Sequence, residues 1–260
     1  MWNAQQSESY GIQKPGKSPS DNHCRGGVVV YKVSRAALAT IALLNLSLLA
    51  FSTARVVVDH NSVSTANKGF RFKNVPSPVR DNAAAKARIS LVVGRPDPSS
   101  GGLSVLTDGA LPTHEDEPRA NFFFDAGSDG GRILMDFGVA VDVTQVNTYS
   151  WHANSRGPQV YNLYASDGRD PKFKAQPDAR TDPVACGWSL IARVDTRPRQ
   201  GDGGGQYGVS ISDPPGILGK YRYLLFDSVP TEIDDPWGNT FYSEIIVVTT
   251  PAVPPIMHIP

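Results

Sequence analysis

The sequence predicts an all-β fold, an antiparallel two-sheet jelly-roll sandwich of about eight or nine strands. Three observations lead there. Short apolar or alternating runs recur between residues 88 and 249, each bounded by turn residues. Gly and Pro are plentiful, at 24 and 21 of 260 residues, which suits a turn-rich chain better than a helical bundle. No stretch keeps the 3.6-residue apolar period for the length a stable helix needs.

The elements follow in order. Ala83-Ala84-Ala85-Lys86-Ala87 can make a single helical turn, too short to stand alone. Residues 88–93 form a β-branched run stopped by Gly94 and Pro96. Phe122-Phe123-Phe124 reads as a short aromatic strand. Residues 132–137 alternate, with Ile133, Met135 and Phe137 on one face and Arg132 and Asp136 on the other. Residues 141–151 form the next strand, which runs into a polar loop. Residues 159–165 end at the turn Ser166-Asp167-Gly168. Residues 188–194, 206–211, 220–227 and 241–249 complete the set. Gly201–Gly205 reads as a hairpin tip. It is no phosphate loop, because neither Lys-Ser nor Lys-Thr follows and no helix opens after it.

Outside the sandwich, placed at residues 83–250, the chain changes character. Residues 36–51 carry no charge and are preceded by Arg25, Lys32 and Arg35. Ser52-Thr53-Ala54 follows with the small residues that a cut after Ala54 requires, so 1–54 reads as a secretory signal region with a long polar lead. An uncut anchor is the alternative, and membrane contact is expected only through this segment. No Cys follows it, so a lipid anchor is not expected. Residues 55–82 read as a linker or loosely attached strand, and 251–260 as a Pro-rich tail. Export, to the periplasm, the cell surface or the medium, is the expectation.

Composition excludes several functions. The formal net charge is zero, and nothing in that balance calls for nucleic acid or an anionic membrane surface, both of which need clustered Lys and Arg. Only Cys24 and Cys186 are present, and cleavage after Ala54 leaves Cys186 alone, so this is no disulfide scaffold. There is no Gly-x-Ser-x-Gly elbow and no His-Glu-x-x-His pair, and nothing selects a carboxylate pair from Asp195, Asp202, Asp234 and Asp235. The run His114-Glu115-Asp116-Glu117 reads as a solvated acidic loop, since adjacent residues cannot all converge on one ion.

Five short motifs occur in a telling order: Leu106-Thr107-Asp108-Gly109, then residues 133–138 reading Ile-Leu-Met-Asp-Phe-Gly, then 160–168 ending in Ser166-Asp167-Gly168, then Tyr221-Arg222-Tyr223-Leu224, then Ser243-Glu244-Ile245. In this order they resemble the galactose-binding-like superfamily, which includes discoidin and coagulation-factor C domains and many bacterial carbohydrate-binding modules. Two departures stand out. Trp188 falls late after the Asp-Gly turn, so residues 169–187 read as an inserted loop, and Leu225 stands where an Arg is common. The resemblance implies an exported, non-catalytic binding module for a glycan or cell-surface polysaccharide. It also implies a structural Ca²⁺ at Asp108 and Glu244, although Asp108 can equally close its own turn. A structural or adhesive protein that binds another protein is the alternative, and an enzyme of unrecognised type the second.

For the ligand, the candidate residues are Tyr149, Trp151, His152, Asn154 and Arg156, with Trp237, Asn239 and Phe241 in a second loop. A sugar ring offers C–H groups to a flat aromatic face, and its vicinal hydroxyls suit forked or planar polar groups. Tyr149 and Trp151 lie two apart on one face of a strand, and His152 and Arg156 stand at its end and in the loop beyond. The opposing reading has both tryptophans filling the end of the core and Arg156 paired with a local carboxylate.

Overall fold

A computed structural model describes residues 54–250 except 202, 215, 233–236 and 238. The expectations for the apolar segment 36–51 and its cut, for Cys24, for Asp202, Asp234 and Asp235, and for the tail 251–260 lie outside the described residues. Among those described, no helix is long and apolar enough to cross a membrane.

The fold is nearly all β. Among the described residues there are eight strands: β1 (Arg55–Ser62), β2 (Arg88–Val93), β3 (Gly131–His152), β4 (Val160–Ser166), β5 (Ser189–Asp195), β6 (Gly205–Ser212), β7 (Gly219–Ser228) and β8 (Glu244–Thr249). Every pairing between them is antiparallel. The 22-residue β3 links the two halves of the sandwich. Its first half pairs with β2 and β7, and β7 continues through β4 to β5. Its second half pairs with β8 and with β6, which carries β1. The register against β7 slips between Asp136 and Val141, where Asp136 Oδ1 accepts the Gly138 N–H at 2.8 Å. Two strands expected separately are thus one, bent at this irregularity.

Two expectations need correction. Residues 55–62, expected within a linker or loosely attached strand, pair along their whole length with β6, so the sandwich starts near residue 55 and not 83. Their β-branched run Val56-Val57-Val58 suits a strand, but the partner lies some 150 residues further on. Phe122-Phe123-Phe124, expected as a strand, makes only the isolated bridges Phe122↔Tyr242 and Pro96↔Phe124, because Pro96 has no N–H with which to extend a ladder.

The main core lies between the halves. Phe122, Phe124, Ile133, Met135, Tyr161, Leu163, Phe226 and Tyr242 are each at most 2% exposed. The two tyrosines satisfy their hydroxyls inside it, Tyr161 with Thr148 Oγ1 and Tyr242 with Ser228 Oγ, both at 2.8 Å. Each sheet is also covered on its outer face. The inserted loop 169–187 places Phe173 and Cys186 against Leu134, Tyr164, Trp188 and Leu225. Arg132, on the face opposite Ile133 and Met135 as the alternation predicts, is 6% exposed beneath this loop. The segment between β1 and β2 places Phe72 and Val75 against Tyr149 and Ile246. The alternation of β3 therefore has apolar partners on both faces.

Candidate functional site

At one end of the sandwich, β3 finishes on His152 and the chain turns through residues 153–159. The turn is held from within. Ser150 Oγ donates to the Gly157 carbonyl at 2.6 Å and accepts from Gln159 Nε2 at 3.0 Å. The Gly157 N–H donates to the Asn154 carbonyl at 2.7 Å. The Gly-rich tip before β6 presses against the same turn: a Cβ on Gly204 would lie 2.1 Å from the Ala153 carbonyl oxygen, so only glycine fits.

This framework presents a cleft of about 160 Å³ lined by Asp97, Ser99, Asp116, Pro118, Phe123, His152, Arg156, Trp237 and Phe241. Phe241 and Phe123 stack with centroids 4.1 Å apart, and His152 meets Phe241 edge-on at 5.3 Å. Trp237 is 51% exposed. Asp97 is held by the Ser99 N–H at 2.7 Å. His152 Nδ1 accepts the Asn154 N–H at 3.2 Å, so the neutral ring carries its proton on Nε2. Burial, and then the Arg156 charge, push the His152 pKa down, while Asp116 and Glu115 oppose them. Near neutral pH the cleft therefore combines aromatic faces, one guanidinium, one neutral imidazole donor and two carboxylates.

The eight expected ligand residues divide into three groups. His152, Arg156, Trp237 and Phe241 line the cleft. Asn154 and Asn239 position others. Asn154 Oδ1 accepts the Arg156 N–H at 3.4 Å. Asn239 is 2% exposed, and its Nδ2 donates to the Phe124 and Asp125 carbonyls, both at 3.2 Å. Tyr149 and Trp151 do not line the cleft; they are 1% and 4% exposed. The Tyr149 hydroxyl donates to the Pro76 carbonyl, and burial pushes its pKa up. Sequence reasoning missed Asp97, Ser99, Pro118 and Phe123 and set Asp116 in a solvated loop. No spacing signal joins them to residues 152–156, because only the fold brings these segments together. The neighbouring His114 and Glu117 pair locally at 3.9 Å.

The second candidate lies at Asp108 and Glu244. Asp108 Oδ1 accepts the Ala110 N–H at 2.8 Å and so closes its turn. Glu244 is fully buried. Its Oε2 accepts the Gly109 N–H at 2.9 Å, and its Oε1 has no protein partner among the described residues. Burial, with the Asp108 carboxylate adding to it, pushes the Glu244 pKa up to about 8. An orphaned buried carboxylate oxygen beside a second carboxylate fits a hard dication. No group of three or more His, Cys, Asp or Glu residues suited to a metal occurs among the described residues, so most of the remaining ligands to such an ion would be carbonyl oxygens or water.

No family model matches the chain, and no curated protein matches it. Several solved structures are similar to it. Chitosan-binding module 1 of a chitosanase/glucanase from Paenibacillus sp. IK-5 is 16% identical, with a TM-score of 0.40 over 64% of this chain and 97% of that one. The module CpGH89CBM32-4 of Clostridium perfringens, solved with GlcNAc-α-1,4-galactose, is 11% identical, with a TM-score of 0.39 over 65% and 93%. The lectin domain of lectinolysin, solved with Lewis B antigen, is 12% identical, with a TM-score of 0.40 over 66% and 98%. Likeness at this level carries no argument about ligand, so the functional reading rests on the chain's own residues.

Proposed function

We propose that this protein is an exported, non-catalytic module that binds carbohydrate in the cleft at the end of β3. One observation carries the reading: an exposed indole and a stacked pair of phenyl rings share a small cleft with a guanidinium, an imidazole donor and two carboxylates. A pyranose ring can lay its C–H face on Trp237 while Arg156, His152 Nε2–H, Asp97 and Asp116 divide its hydroxyls as donors and acceptors. Export rests on the segment ending at Ala54. A structural Ca²⁺ at Asp108 and Glu244 is the second part of the proposal; it would neutralise the buried Glu244 carboxylate and fix the turn at the exposed Asp108.

A glycan array probed with wild type and Arg156→Ala tests the reading. Wild type binds a defined set of glycans. Arg156→Ala loses roughly tenfold or more in affinity, the cost of one or two charge-assisted hydrogen bonds, while still unfolding cooperatively as a folded protein. Arg156→Ala binding the same glycans equally well would contradict the assignment.

A further inference from the structure

The segment that covers the outer face of β3 and β8 builds a second groove, away from the cleft. Its volume is about 340 Å³, and its lining includes Lys68, Phe70, Arg71, Phe72, Gly109 and Leu111. We propose that this groove is a separate binding site for an anionic polysaccharide, one bearing carboxylate or sulfate groups along its length.

Charge is the first ground. Residues 67–80 hold Lys68, Arg71, Lys73 and Arg80 and no acidic residue. Among the described residues none of these four forms an ion pair. Two carboxylates that touch this segment or the groove's lining are already engaged, and Asp108, next to Gly109 in the lining, accepts the Ala110 N–H of its own turn at 2.8 Å. Asp59 accepts from Asn74 Nδ2 at 2.7 Å and from the Val75 N–H at 3.0 Å, and Glu117 accepts the Thr113 N–H and hydroxyl at 2.6 and 3.0 Å. Arg80 belongs to the same surface, because its Cγ fills the space that a side chain on Gly109 would take.

Shape is the second ground. Phe70 and Phe72 meet edge to face at 5.1 Å, and Phe72 packs on Tyr149 at 5.8 Å, so the groove has a fixed aromatic wall. Phe70 remains partly exposed and gives the C–H face of a sugar ring an apolar surface. Cations spread along a groove suit a chain that carries an anion on each repeat, since several contacts form at once. Rings that line a groove fit such a chain better than a flat lipid surface.

The test measures binding of the purified full chain to polygalacturonate, dextran sulfate and neutral dextran across a salt series. The expected result is binding to one or both anionic polymers that weakens with salt, and none to dextran. Lys68→Glu with Arg71→Glu loses at least tenfold in affinity. Lys172→Glu with Lys174→Glu, which changes net charge equally on the inserted loop, loses less than threefold. Both variants keep the wild-type melting temperature. Polygalacturonate against dextran sulfate separates carboxylate from sulfate recognition. No binding at low salt, equal loss in both variants, or capture on anionic over neutral vesicles in place of the polymers would overturn the proposal.

Discussion

Metal-free protein is expected to lose stability as pH rises from 5 to 9, and calcium is expected to abolish or reverse that slope. The cause is Glu244, fully buried and with a pKa raised to about 8 from 4.5. Between these values the folded state holds a proton that the unfolded chain has released. Stability from this group is fully present below about pH 4.5 and is lost as pH rises through about 8. Holding that proton is worth about 1.4 kcal/mol for every pH unit between the two values, so the full loss is on the order of 5 kcal/mol. In a fold of this size that lowers the Tm by roughly 10 °C. A bound Ca²⁺ requires the ionised carboxylate, so its stabilisation grows with pH across the same window. Thermal unfolding at several pH values, with chelator or with calcium, reads both slopes. Glu244→Gln removes the pH dependence and the calcium response together. Flat curves under both conditions would show that Glu244 is neither protonated nor a ligand.

Arg132→Ala is expected to be the most damaging change on the outer face. Its side chain is 7% exposed. Nε donates to Asp227 Oδ1 at 2.8 Å, and Nη1 donates to the carbonyls of Asp178 and Thr181 at 2.6 and 2.9 Å. One guanidinium therefore fastens the inserted loop to the sheet. Its removal leaves the Asp227 charge and the carbonyls of Pro177, Asp178 and Thr181 without their donor, a cost of about 3–5 kcal/mol. Arg132→Lys does not rescue, because a single ammonium cannot span the fork. Thermal unfolding measures the loss, and limited proteolysis is expected to open cuts within residues 169–187. Wild-type stability with an uncut loop would contradict the anchoring role.

Much of the fold was legible because the strands alternate and glycine or proline ends them. Residues 88–93 and 206–211 are strands where the pattern put them. β1 was not legible, since its pairing is entirely with β6, far along the chain. The burial of Arg132 was not legible for a related reason. The alternation correctly set it opposite Ile133 and Met135, but nothing local shows that a distant loop covers that face.

The site shows the same limit. The polar, aromatic stretch 149–156 marked the right end of the sandwich. Strand alternation sets Tyr149 and Trp151 on one face and His152 on the other, so no single ligand surface could include all three. The cover over Tyr149 comes from Phe72 and Val75, and the far wall of the cleft from Asp97 and Phe123. Only the folded chain joins these segments.

The central claim, that sugar binds against Trp237 in the cleft, is tested most directly by following tryptophan indole N–H resonances while titrating a glycan found on the array. The Trp237 signal is expected to shift and saturate, whereas the buried Trp151 and Trp188, the latter with its Nε1 donating to the Lys174 carbonyl at 2.8 Å, stay in place. A bound glycan that leaves Trp237 unmoved, or that shifts Trp188 instead, would contradict it.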